Sequence, residues 1–362
     1  MCVVYIDRWE NTITILSMSD TKRVITFGEV LLRFNPTGYE RLLQASDWKA
    51  SYSGAEANVA VSLANFGLDV FLITKVPSHD IGQCAVNWLR HYGVHMSKAA
   101  RGGDRLGIYF IEKGASQRPS KVIYDRKDSA FSLSEPKDYD WDDIFDKAGW
   151  FHFTGISPAV GGNLPAICLE ACRVAKSKGV KISCDLNFRR KLWDTEAARK
   201  TMLELMPYVD VFISNMSDVC ELFGIVPECC DIETAILNKE GPMSVSRQLV
   251  EKFGFDKVAL TLRKSISADV NDWGGMLYDS KSKEGTFSPR YSIQMIDRVG
   301  GGDAFGAGII YSLITGMSAQ EGIDFAVASS CLKHTIENDF NLASVEEVKS
   351  LMKGNGSGRV QR

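Results

Sequence analysis

Apolar residues recur along the chain at two alternating periods. Residues 55–66 (AEANVAVSLANF) carry them at helical spacing and stop at Gly67, suited to a left-handed helix cap. Residues 69–76 (DVFLITKV) form a near-continuous apolar run of strand length. Asp80 is placed to cap a helix running to Tyr92 and closed by Gly93. Helical spacing over 164–178 ends at Gly179 and leads into a strand over 180–186. The same rhythm puts a helix over 195–206 before a strand over 209–214, and a helix over 244–253 before a strand over 257–262. Two consecutive helices follow at 304–314 and 319–336, and the capping box Ser344-Val345-Glu346-Glu347 opens a last one. Helices of this length between short apolar strands predict right-handed βαβ units. The fold class is α/β, with a central, mostly parallel sheet and helices on both faces.

Two stretches break the rhythm. Residues 29–53 and 105–127 hold strand-like pieces at 29–34, 106–111 and 121–124 with no helix between them. They predict a small β-sheet lid over the carboxyl ends of the parallel strands, where open α/β folds bind ligands. The pattern begins near Arg23. Residues 1–22 therefore read as an N-terminal extension that need not be ordered, with Met18 as an alternative start, 23–353 as one domain carrying the lid, and 354–362 as a flexible tail.

Composition narrows the class. Apolar content of 45% excludes wholesale disorder, and a formal charge of −3 without a dense basic cluster gives no pull toward nucleic acid or anionic membranes. No apolar run approaches the ~18–20 residues of a membrane span. The apolar start Val3-Val4-Tyr5-Ile6 runs at once into Asp7, Arg8 and Glu10, which spoils a signal-peptide core. Nine cysteines, an odd number that includes the vicinal Cys229–Cys230, form no disulfide framework and read as free thiols of a reducing cytoplasm. His152, inside Trp150-Phe151-His152-Phe153, belongs to a buried strand.

The chemistry concentrates late in the chain, in Asp297-Arg298-Val299-Gly300-Gly301-Gly302-Asp303. Three glycines let the backbone turn tightly and aim several N–H groups at one point, at the start of a helix, where dipole and orphan donors favour an anion. Asp303 beside them either caps the helix or accepts a proton from an attacking hydroxyl, and the residue pattern leaves both open. No Gly-x4-Gly-Lys-Ser/Thr loop is present, and Gly300, Gly302 and Gly306 are not spaced as a dinucleotide-binding fingerprint.

These residues resemble the C-terminal signature of the PfkB (ribokinase-like) carbohydrate kinases, while Ser53-Gly54-Ala55-Glu56-Ala57-Asn58 through Gly67 resembles the N-terminal one, with Asp80-Ile81-Gly82 following. The resemblance runs from about residue 23 to 352. Within the family the details are similar to 2-keto-3-deoxygluconate kinases: Gly28-Glu29-Val30-Leu31-Leu32-Arg33, Tyr124-Asp125-Arg126 and Asp185-Leu186-Asn187-Phe188-Arg189 through Trp193. It implies a ribokinase-like fold and transfer of the ATP γ-phosphoryl group to the 6-hydroxyl of 2-keto-3-deoxygluconate, with ATP and Mg²⁺ as cofactors. Asp303 would be the base and the Gly300, Gly301 and Gly302 amides the anion hole. Gly54 and Asn58 would touch the sugar, Tyr109 and Tyr124 line the lid side, and Arg126 and Arg189 hold the carboxylate, as planar guanidiniums do.

Asn215-Met216-Ser217-Asp218 takes the place of the family's Asn-x-x-Glu, so Asp218 would reach Mg²⁺ through water. Thr261 and Arg263 stand where the family has Thr-x-Gly beside the nucleotide, Arg298 replaces the common Thr, and Asn341 is placed near the nucleotide by analogy. A neutral sugar such as fructose is the alternative acceptor, and a non-catalytic sugar-binding homologue the alternative class. Exposed lid edges favour a homo-oligomer.

Overall fold

The computed structural model describes residues 23–354 apart from 229, 230 and 237, together with two upstream strands, Val4–Ile6 and Ile13–Ile15, which pair antiparallel. Otherwise the extension over 1–22, the tail beyond Gly354 and the Cys229–Cys230 pair lie outside the described residues. Six parallel strands lie side by side in the order Val70–Ile73, Arg23–Phe27, Ala148–Thr154, Lys181–Asp185, Val211–Asn215 and Lys257–Ser265. Each is short and apolar because both faces of the sheet are covered. The alternation of side chains sorts them: Ile25, Phe71, Phe151 and Phe212 face one core, and Val24, Val70, Trp150 and Val211 the other.

Three strands that the periodicity did not single out, Val270–Asp279, Glu284–Phe287 and Tyr291–Gln294, extend this sheet antiparallel beyond Lys257–Ser265. A second sheet of four strands runs Lys121–Asp125, Gly107–Glu112, Leu31–Asn35 and Lys49–Ser53. Its strand Lys49–Ser53 has a single aromatic among polar residues and gave no apolar pattern. The chain passes from the central strand Arg23–Phe27 into the lid strand Leu31–Asn35 over three buried residues, so lid and body share one rigid segment. No helix among the described residues is long and apolar enough to cross a membrane.

Several elements differ from the pattern in instructive ways. The run over 69–76 divides at Thr74: Lys75–Val76 leaves the main sheet and pairs with Ala100–Arg101. Asp80 does not cap its helix; His79 occupies the cap, and Asp80 is the first helical residue, where its charge complements the dipole. The helix expected from Ser244 begins at Glu240, because Pro242 falls in the first turn, where a missing N–H costs nothing. The late helix starts at Gly301 rather than Ala304.

That helix, Gly301–Thr315, is buried through most of its length and packs on Ala319–Lys333. Their close approach depends on Gly308, where a Cβ would stand 2.5 Å from Ala326 Cα; at Gly306 the nearest atom to a Cβ would be Ile213 Cδ1 at 3.6 Å, ordinary contact. Alanine gains about 1 kcal/mol of helix propensity at either site, but overpacking at Gly308 costs about 3 kcal/mol. Gly308→Ala is therefore expected to lower unfolding free energy by about 2 kcal/mol and Gly306→Ala to raise it by up to about 1 kcal/mol. Urea titration of both variants checks the opposite signs.

Candidate active site

The strand ends Asp185 and Asn215, Thr261 within its strand, the lid and the glycine-rich segment enclose one cavity of about 630 Å³, the size of a small-molecule site. Gly300 caps the Gly301–Thr315 helix in the left-handed conformation, φ 82°, and a Cβ there would fall 2.0 Å from the Asp339 carbonyl oxygen. No other residue fits. The N–H groups of Gly301, Gly302 and Asp303 form the first helical turn and have no partner inside the helix. Gly300 and Gly302 line the cavity, and a Cβ on Gly302 would meet nothing within 4 Å. Gly301 turns its α-carbon toward His334, 2.3 Å from where a Cβ would stand.

Asp303 is the third residue of the helix, not its cap. Its Oδ2 accepts a 2.6 Å hydrogen bond from Asn58 Nδ2, and the carboxyl faces the cavity. Burial pushes its pKa up to about 7; the Asn58 bond opposes the shift, Asp339 adds to it and Arg189 offsets part of it. Asp185 stands close by, at the end of Lys181–Asp185, and is pushed up to about 8 by burial and by Asp303. Asp218 is also raised by burial, with Arg189 and the Phe188 N–H pulling it back. Asn215 caps the helix Met216–Phe223 through a 2.9 Å bond from the Asp218 N–H, which leaves the Asp218 carboxyl on the cavity wall.

On the lid side, Arg126 stacks over Tyr124 at 4.5 Å and lies 3.4 Å from Glu29 Oε2, yet its buried Nε and Nη1 have no hydrogen-bond partner. Burial raises the Glu29 pKa, with the Arg126 charge and the Ser129 hydrogen bond opposing the shift. Gly54 packs against the main chain of Glu29, 2.1 Å from its oxygen to a Cβ built there. Opposite, Arg189 makes one side-chain hydrogen bond, to the Phe188 carbonyl at 3.2 Å, while its charge is felt by Asp185, Asp218 and Asp303. At the far end Thr261, Arg263 and Arg298 line the cavity. Arg298 and Arg263 repel, and among the described residues neither has an ion-pair partner. Asn341 is not brought into the cavity: it is buried, donating to Ser329 Oγ at 2.9 Å and accepting from the Ala343 N–H.

Sequence reasoning missed what holds the loop. Arg33 is wholly buried; its Nη2 bonds Asp297 Oδ2 at 2.7 Å and its Nη1 bonds Asp339. Burial lowers a guanidinium's proton affinity, but Asp339 and Asp297 more than restore it, so the pair of bonds is fully ionic. Tyr109 lines the cavity wall as expected, and its hydroxyl also donates to Asp339 Oδ2 at 2.7 Å and meets Ser53 Oγ at 2.9 Å. The signal was present: Arg33 shares the inward face of its strand with Leu31 and Asn35, where a charge must be paired. Asp185 was readable only as part of a motif.

A family model described as pfkB family carbohydrate kinase matches residues 21–245 and 272–339. A Haloferax volcanii protein, 2-dehydro-3-deoxygalactonokinase, is 29% identical over 339 residues, 93% of this chain and 99% of its own. A Bacillus subtilis 2-dehydro-3-deoxygluconokinase is 26% identical over 332 residues, 91% of this chain and 94% of its own. The crystal structure of a 2-dehydro-3-deoxygluconokinase from Thermotoga maritima superimposes with a TM-score of 0.88 at 46% identity, covering 92% of this chain and 98% of that one.

Replacing Arg33 by Met leaves two carboxylates facing each other in a dry site. The variant is expected to lose about 3–5 kcal/mol of unfolding free energy. A loss below about 1 kcal/mol in denaturant titration would remove the ion network from the account of how lid and loop are joined.

Proposed function

The chain belongs to the pfkB family of carbohydrate kinases, and from that premise we propose that it transfers the γ-phosphoryl group of ATP to the 6-hydroxyl of 2-keto-3-deoxygluconate. The observation that carries the reading is Asp303: a recessed carboxyl facing the cavity, one residue beyond the amides of a helix start. The sugar hydroxyl oxygen attacks the γ-phosphorus, its proton passes to the Asp303 carboxylate, and the bond to the β-phosphate oxygen breaks to release ADP. The first-turn amides of Gly301 and Gly302 receive charge on the transferring group, and their fixed direction means no reorganisation is needed.

A sugar acid is preferred over a neutral sugar because of Arg126. Its buried Nε and Nη1 make no hydrogen bond and Glu29 approaches no nearer than 3.4 Å, so these donors suit an anion that can bond them directly. Arg189 serves the same end from the opposite wall, Gly54 and Asn58 bound the sugar, and Tyr124 keeps the Arg126 plane in place. Tyr109 lines the same wall and fixes Asp339. Arg263 and Arg298, unpaired, suit the polyphosphate chain, with Thr261 beside them. Asp185 and Asp218 suit Mg²⁺ carried by the nucleotide: such an ion takes one or two carboxylates plus phosphate oxygens and water, and both groups hold their charge poorly without a cation. The ion would neutralise phosphate charge during transfer.

The names of the relatives include two acceptors that are epimers, so both belong in the test beside fructose and ribose. With ATP and Mg²⁺, turnover is expected for the keto-deoxy acids and not for the neutral sugars, with phosphorus coupling to C6 in the NMR spectrum of the product. Arg126→Ala is expected to raise KM for the acid about 100-fold. Equal turnover of all four sugars would refute the acid preference.

Asp303 works as a base only when ionised. With its pKa near 7 in the free protein, kcat/KM is expected to rise about tenfold between pH 6 and pH 8. Asp303→Asn should lose at least about 1000-fold in kcat. A flat profile over this range, or near-normal turnover by the Asn variant, would remove the base role.

A further inference from the structure

Lys333 is the last residue of the helix Ala319–Lys333 and is completely buried, a rare state for lysine. Its ammonium forms no ion pair within reach of a carboxylate; instead it donates to two main-chain carbonyls, Asp297 O at 3.1 Å and Ile336 O at 3.4 Å. A Cβ on Gly300 would be 3.2 Å from Lys333 Cε, so the side chain runs directly beneath the left-handed residue that turns the loop. The same helix end braces the loop elsewhere: Ser330 Oγ donates to Gly301 O at 2.6 Å, and the His334 carbonyl accepts from the Ile296 and Asp297 N–H groups. Those contacts are neutral and would survive an apolar residue at 333. The ammonium is the one part of the brace that carries charge.

The charge count explains why it is there. Asp297 and Asp339 bring two negative charges under the loop, and Arg33 answers with one. Lys333 brings the buried set to zero. Burial and Arg33 lower its pKa on balance, and Asp297, Asp339 and Asp303 offset part of the shift, so it is coupled to the carboxyl proposed as the base. An ammonium held by carbonyl oxygens also pulls the Asp297 peptide down, which keeps the following amides turned toward the cavity.

We propose that Lys333 is a positioning residue: a built-in cation under the glycine-rich loop, whose ammonium holds the Asp297 and Ile336 carbonyls so that the first-turn amides of the Gly301 helix stay aimed at the transferring phosphoryl group. Its kinetic consequence rests on the phosphoryl-transfer reading above; its structural consequence does not. The loop needs a charge at this point that can donate N–H bonds, and a greasy side chain of equal length cannot supply it.

The test uses Lys333→Met, which keeps the volume, and Lys333→Ala, which leaves room for a small amine. In the Met variant kcat is expected to fall at least 30-fold with KM for the sugar within about threefold of wild type. Amide hydrogen exchange over residues 297–304 is expected to speed up at least tenfold. In the Ala variant, ammonium or methylammonium should restore kcat saturably and slow that exchange, whereas tetramethylammonium, which has no N–H, should do neither. A Met variant with kcat within threefold of wild type and unchanged exchange overturns the proposal, as does an Ala variant that folds yet responds equally to all three cations. If the wild-type protein phosphorylates no sugar, the functional reading fails, and the exchange measurements still decide the role of Lys333.

Discussion

One buried guanidinium joins the two halves of this molecule. Arg33 leaves the lid strand Leu31–Asn35 and closes on Asp297, which opens the glycine-rich loop, and on Asp339, which lies beyond the helix Ala319–Lys333. Such a network contributes little net stability, since two or three desolvated charges cost nearly what their attraction returns. Its value is geometric. The loop backbone, the lid sheet and the last long helix can satisfy their charges in one mutual arrangement, and a lid shifted by an ångström would strand a carboxylate. Tyr109, bonded to the same Asp339, ties a second lid strand to the same point.

Around that anchor, the cavity separates its ionisable groups by what surrounds them. Asp303 is raised to near neutral pH by burial with Asp339 adding to the shift, and Asp185 by burial with Asp303 adding to it, as is common for carboxyls in functional clefts. Arg126 keeps donors unsatisfied, and Arg263 and Arg298 repel each other. The resting site thus leaves charge imperfectly answered: buried carboxyls at Asp303 and Asp185, a guanidinium with unbonded donors on the lid side, and two mutually repelling guanidiniums at the far end. On the proposed reading, an acidic sugar and a metal-bound triphosphate would relieve these imbalances, and part of their binding free energy would come from correcting them.

Much of the architecture could be read from periodicity because both core faces are lined by unbroken alternation, as in Val24, Ile25 and Phe27. What escaped did so for physical reasons. Lys49–Ser53 pairs through its backbone and carries few apolar side chains, so it gave no signal. Thr74 ends a strand inside a continuous apolar run because the chain there changes partners, which is a tertiary event. In the site, the glycines and Asp303 were legible from spacing, and Arg126 and Arg189 from resemblance. Arg33 stood out only as a charge on an inward strand face, and its partners could not be read because Asp297 and Asp339 lie 264 and 306 positions away; Lys333 finds its carbonyl partners only once the loop folds over the helix end. Asn341 shows the converse: analogy put it near the nucleotide, while its amide is consumed inside the fold.

The Gly301–Thr315 helix is enclosed by apolar neighbours through most of its length and has no polar stripe of its own. An element so embedded can neither slide nor tilt without reopening the core, so the glycine-rich end of the pocket is effectively cast in place. The sheet opposite has two free edges and side chains half in solvent. Diversity of acceptors, whether reached by natural drift or in the laboratory, is therefore available from the lid strands and not from the Gly301–Thr315 helix: the same engine can be fitted with a different cover.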